Sequence, residues 1–149
     1  MPSTWSQLIF HLVFSTKLRE PILDDALAER LYPFMGGIVR SLGGSLWAAG
    51  GMPDHVHLLV RWQTDEAIST LAREVKFRSS KWIHETFPEQ RRFAWQRSHG
   101  VFSVSKSQSD IVRAYIENQK EHHKRRDFRE ELVALLRSHG VEFDDRYLD

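Results

Sequence analysis

Hydrophobic and polar positions along the chain follow two rhythms that take turns. Ser6 to Ser15 is dense in β-formers and predicts a first strand. Pro21 and the pair Asp24-Asp25 then open a helix, in which Leu27, Leu31, Phe34, Ile38 and Leu42 recur at helical spacing until Gly43-Gly44 ends it. Ser45 to Ala49 predicts a short second strand, joined by the turn Gly50-Gly51-Met52-Pro53-Asp54 to a third from Val56 to Trp62. A long helix follows from Glu66 to about Thr86, with Asp65 or Thr64 as its cap and Pro88 marking its end. A fourth strand runs from Val101 to Ser105. Ser107 and Asp110 have the spacing of a capping signature for a helix reaching about Lys124, and a last helix covers about Phe128 to Ser138.

The order β-α-β-β-α-β with two further helices predicts an α+β fold of the ferredoxin-like, split βαβ kind. Its antiparallel sheet carries both main helices on one face. Side chains alternate along a strand, so Val56, Leu58 and Val60 face those helices while His55 and His57 share the open face. No internal repeat or long linker divides the sequence, and residues 1–149 read as a single domain.

Composition narrows the class. At 149 residues with 41% hydrophobic content the chain has room for one ordinary core, and no stretch approaches the length of a membrane span. No secretory leader is visible, so a cytoplasmic protein is expected. The absence of cysteine removes disulfides, thiolate metal sites and a cysteine nucleophile together. Net charge is only +1, but Arg73, Lys76, Arg78, Lys81, Arg91, Arg92 and Arg97 crowd into one stretch, and residues 120–126 read Lys-Glu-His-His-Lys-Arg-Arg. Local basic patches on a near-neutral chain suit a polyanion held in one groove, although solvated helix faces account for many such runs.

Two imidazoles side by side on a stiff strand make half of a metal site, whereas a histidine on an apolar strand is more often a satisfied core residue. The helix after the fourth strand adds a second element: Tyr115 and Gln119 are four apart and share a face, with His122 a turn beyond. The run Met-Pro-Asp-His55-Val56-His57-Leu-Leu-Val resembles the His-hydrophobic-His motif of the HUH endonucleases. Tyr115-Ile-Glu-Asn-Gln119 resembles the single-tyrosine helix of the small transposases of the IS200/IS605 type. The likeness extends to Trp95-Gln96, to Phe102-Ser103-Val104-Ser105 and to the tail from His122-His123 to Tyr147.

That resemblance implies a DNA strand transferase in which Tyr115 is the nucleophile and His55, His57 and Gln119 carry Mg²⁺ or Mn²⁺. A tyrosine is a weak nucleophile near neutrality, and a cation on the scissile phosphate answers this by polarising the electrophile. The resemblance further implies a 5′-phosphotyrosine intermediate, hairpin-bearing single-stranded DNA as substrate and a prokaryotic, nucleoid-associated setting. It also implies a homodimer, with sites built within one chain or shared across two. The basic residues named above, together with His122 and Lys124, are candidate DNA contacts, and Trp82, Trp95 and Phe93 are candidates to stack on bases. His11, His84, His99 and His139 are assigned no role. A hairpin or single-stranded DNA-binding protein of the same fold without chemistry is the alternative. A histidine-triad hydrolase fits less well, because Leu59 stands where a third histidine belongs.

Overall fold

A computed structural model of the chain describes residues 4–122 and 126–148. Its strands are β1 (Leu8–Ser15), β2 (Ser45–Met52), β3 (His55–Trp62) and β4 (Gly100–Val104). They form one antiparallel sheet in the order β2-β3-β1-β4. The helices are α1 (Asp25–Ser41), α2 (Ile68–Thr86), α3 (Ser109–Glu117), the short α4 (Gln119–His122) and α5 (Phe128–Ser138). The α+β fold with C-terminal helices is the one expected.

Alternation along the strands divides the sheet into two chemically different faces. Leu12, Phe14, Val56, Leu58 and Val60 meet Leu27, Leu31 and Met35 of α1 and Leu71, Val75 and Ile83 of α2 in the main core. Each such side chain, fully buried, contributes about 1.5–3 kcal/mol. The other face carries Ile9, His11, Val13, His55, His57 and Leu59. It was expected to be open, and it is not. Helix α3 covers one half, packing Ile116 against Ile9, Ala48 and Leu59. Helix α5 covers the other, packing Phe128, Leu132 and Leu136 against Val13 and Phe102. His55 and His57 are consequently 0% exposed.

Glycine makes the first of these coverings geometrically possible. Gly50 of β2 pairs with His57 of β3, and a Cβ at position 50 would run into the backbone carbonyl of Ile116. The turn of α3 that carries Tyr115 therefore rests on the strand backbone itself, directly beside the histidine strand.

Several boundaries differ from the sequence reading. Strand β2 continues through both glycines to Met52, leaving Pro53-Asp54 as the hairpin turn. Helix α2 starts at Ile68, with Ala67 at its cap and no side-chain cap bond, instead of being capped by Asp65 or Thr64. Trp62 Nε1 donates to the Glu66 carbonyl at 2.8 Å, holding that segment against β3. Helix α3 is entered through a 3₁₀ turn at Lys106–Gln108 without the expected capping bond. It does not reach Lys124: at Asn118 the backbone leaves helical geometry (φ −104°, ψ 29°), and Gln119 opens a separate turn. Among the described residues no helix is long and apolar enough to cross a membrane.

Replacing Gly50 with alanine is expected to destabilise the protein by about 1–3 kcal/mol, because a backbone neighbour must move. At Gly37, exposed on α1 with nothing within 4 Å of an added Cβ, the same change is expected to stabilise by about 0.5–1 kcal/mol. Urea unfolding of the two variants measures both signs.

Candidate active site

The site is built outward from β3. Asp54 lies in the β2–β3 turn, and its carbonyl accepts the Thr16 backbone N–H at 2.8 Å, which fixes the turn against the end of β1. From there Asp54 Oδ1 meets His55 Nδ1 at 2.7 Å. One strand position further, on the same face, His57 Nδ1 meets His11 Nε2 of β1 at 2.7 Å. Both imidazoles are thus held at Nδ1, and both aim Nε2 away from the sheet. Bonds at the second ring nitrogen fix the orientation of a ligating histidine in this manner.

Two side chains converge on those Nε2 atoms and a third joins them through a carboxylate. Glu131 of α5, 1% exposed, places Oε1 at 2.8 Å from His57 Nε2 and 3.3 Å from His55 Nε2. Gln119, also 1% exposed, places Oε1 at 3.2 Å from His55 Nε2. The Tyr115 hydroxyl donates to Glu131 Oε2. Its ring stands edge-on to His57, with centroids 5.8 Å apart. The Tyr115 helix thus lies against the histidine pair of its own chain.

Burial and charge set the protonation of the cluster. For His55, burial favours the neutral form, but the carboxylates of Asp54 and Glu131 outweigh it and raise the pKa to about 9. Burial, with His57 beside it, lowers the pKa of His11 to about 3, so His11 stays neutral and always offers one donor and one acceptor. Burial, then the neighbouring Glu131 carboxylate, pushes the Tyr115 phenol well above its usual value.

Donor atoms of His55, His57 and Glu131 all lie within 4.8 Å of one another, and this group can hold a metal ion. Gln119 Oε1, 3.2 Å from His55 Nε2, adjoins the same group. Beside Tyr115 a cavity of about 370 Å³ opens, lined by His11, Ser105, Gln108, Tyr115, Leu135 and His139. Two residues of the site, His11 and Glu131, escaped the sequence reading. His11 was assigned no role, yet it is on the same sheet face as His57 by strand alternation. Glu131 was counted as part of a helix, and its signal was an acid inside the apolar stripe Phe128, Leu132, Leu135 and Leu136.

The candidate DNA contacts divide. Arg73, Lys76, Lys81 and Arg97 line one groove of about 570 Å³, together with Phe77, which is 66% exposed, and His84. Within it Lys76 acts as a brace: its Nζ donates to the carbonyls of Arg97 (3.2 Å) and Ser98 (3.0 Å), and burial lowers its pKa to about 8. Arg78 lies apart, paired with Glu74 at 2.9 Å and donating to Ser41. Arg91 and Arg92 are exposed. The backbone of His122 ends α4, and Lys124 lies outside the described residues. The aromatic candidates are packed instead of presented. Phe93 and Trp95 are core residues, and Trp82 stacks on Phe34 with centroids 4.8 Å apart.

In metal-free protein, NMR titration should place the His55 midpoint near 9 and show no His11 titration above pH 5. Asp54→Asn should move the His55 midpoint down toward 6.5, because it removes the first of the two carboxylates that raise it.

Comparisons with known proteins bear on the family and the fold. Residues 4–119 match the family described as "Transposase IS200 like". The chain is 27% identical over 118 residues to the ISDra2 transposase TnpA of Deinococcus radiodurans, covering 76% of this chain and 84% of that one. A crystal structure of a candidate transposase from Deinococcus radiodurans R1 superposes with a TM-score of 0.66 at 30% identity, over 80% of this chain and 95% of the other. A REP-associated tyrosine transposase solved on a REP hairpin shares the fold, with a TM-score of 0.56, 14% identity and coverage of 78% and 68%. The family match takes in both sheet faces, the paired histidines, Tyr115 and Gln119, and the chain belongs to the IS200-like transposase family.

Proposed function

We propose that this transposase cleaves and rejoins single-stranded DNA through a covalent bond to Tyr115. The observation that carries this reading is the Tyr115 hydroxyl, held in the same buried cluster as the Nε2 atoms of His55 and His57 and the Gln119 amide. In the forward step a bond forms between the Tyr115 oxygen and the scissile phosphorus, and the P–O3′ bond breaks. The phenol loses its proton, the departing 3′ oxygen gains one, and the products are a 5′-phosphotyrosine and a free 3′-hydroxyl. Attack by a 3′-hydroxyl on that linkage reseals a strand without an external energy source.

His55, His57 and Gln119 would hold Mg²⁺ or Mn²⁺. The residues fit such an ion: both histidines are fixed at Nδ1, which leaves Nε2 for the ion once its proton is displaced. When bound, a divalent cation supplies charge stabilisation to a phosphate oxygen. The protein's own residues do the rest. Asp54 and His11 orient the imidazoles, Gly50 lets the tyrosine helix approach, and the cavity beside Tyr115 admits the backbone.

Hairpin-bearing single-stranded DNA is the substrate this reading favours, with a relative of the same fold solved on a REP hairpin as support. Arg73, Lys81 and Arg97 would meet phosphates in the α2 groove, where Phe77 offers a stacking surface. The chain would act in the bacterial cytoplasm, as one domain and as a homodimer whose two sites are each complete within a chain.

Incubation with hairpin DNA carrying the element end and Mg²⁺ or Mn²⁺ should yield an adduct that survives denaturation. Tyr115→Phe should abolish it, chelation should prevent it, and His57→Ala should slow it by about a hundredfold or more. DNA binding without any adduct across such substrates would favour the binding-only alternative.

A further inference from the structure

We propose that Glu131, supplied by the C-terminal helix α5, is a direct ligand of the cation and also the bracket that sets the Tyr115 hydroxyl beside it. This rests on the metal-assisted reading above and extends it to a residue beyond position 119, where the match to the family ends. The catalytic cluster of this chain therefore includes a group brought in by its own C-terminal segment.

Distances carry the argument. Around an octahedral ion with bonds of about 2.1 Å, neighbouring ligand atoms stand about 3.0 Å apart. Glu131 Oε1 is 2.8 Å from His57 Nε2 and 3.3 Å from His55 Nε2, and Gln119 Oε1 is 3.2 Å from His55 Nε2. These three separations would suit donors shared by one such ion. The donor chemistry points the same way. Two imidazoles and an amide supply only neutral donors, and one buried carboxylate adds the anionic oxygen that Mg²⁺ and Mn²⁺ favour.

The carboxylate is also built into place. Asp127 caps α5, accepting the Glu130 backbone N–H at 2.8 Å. Phe128 lies against the His55 ring with centroids 4.7 Å apart, and Leu132 and Leu136 seat the helix on Val13 and Phe102. With Oε1 turned toward the histidines, Oε2 receives the Tyr115 hydroxyl. One rigid carboxylate thus spans from the ligand cluster to the nucleophile, which fixes their separation before DNA arrives.

Mn²⁺ titration of the full chain, read by the EPR signal of free Mn²⁺ and by calorimetry, tests this without any turnover. Glu131→Gln keeps the shape and removes the anionic ligand, and it should weaken Mn²⁺ binding by about tenfold or more. Tyr115→Phe removes only the hydroxyl bonded to Oε2 and keeps every proposed ligand atom, so it should weaken Mn²⁺ binding less than Glu131→Gln does. As a readout that depends on no variant's folding, the buried glutamate carboxyl resonance of ¹³C-labelled wild type should shift on saturation with Mg²⁺. Glu131→Gln that binds Mn²⁺ as tightly as wild type while His57→Ala does not, or an unmoved carboxyl resonance, would overturn the assignment and leave the two-histidine site standing. Wild type that binds no Mn²⁺ at millimolar concentration would overturn both.

Discussion

Three imidazoles, a carboxylate and a carboxamide are buried together on one face of a four-stranded sheet, and the fold depends on every one of them finding a partner. An unpaired buried donor or acceptor costs about 1–3 kcal/mol and an isolated buried charge costs more. Among the described residues no buried side-chain polar atom lacks a partner. The solution is a chain of contacts from Asp54 through His55 to Gln119 and Glu131, and from Glu131 through His57 to His11. Such a network specifies one arrangement of the covering helices, because moving α3 or α5 would strand several groups at once. The tyrosine helix is placed by the same requirement.

The two faces of the sheet explain which parts of this were readable from residues alone. Alternation in β3 told the helix-facing valines and leucine from the histidines, and the order of elements gave the split βαβ frame. What pattern reading missed was the covering of the second face. His55 through Val60 are all buried, and a continuous apolar run cannot by itself tell a strand covered on both faces from one covered on a single face. Gly50 contained the answer, since a glycine opposite His57 marks a close backbone approach, but only the register reveals what approaches.

Glu131 and His11 show the same limit in residue terms. Both are polar positions inside apolar stripes, one on α5 and one on β1, and such positions are informative when the stripe is buried. Their partners are distant in sequence: Glu131 is 74 positions from His57, and His11 is 46. Tyr115 and Gln119 were legible because they stand four apart in a recognisable motif, although the helix breaks between them at Asn118. Among the basic residues, composition located the groove beside α2. It did not separate Lys76, bound to backbone carbonyls, from Arg73, Lys81 and Arg97 around it. Aromatic residues in that stretch proved to be mostly core, as their helical spacing allows.

These contacts support the proposed site complete within one chain. Gln119 and Glu131 reach the histidines of the same polypeptide, Tyr115 is bonded to Glu131, and Gly50 is shaped to receive the helix that brings Tyr115. The most direct measurement mixes two inactive variants, His57→Ala and Tyr115→Phe, under conditions where subunit exchange is verified. The mixture is then assayed for the covalent adduct on hairpin DNA. A site complete within each chain predicts that the mixture forms no more adduct than either variant alone. Recovery of adduct would contradict it, because an intact tyrosine from one chain would then be serving the intact histidines of another.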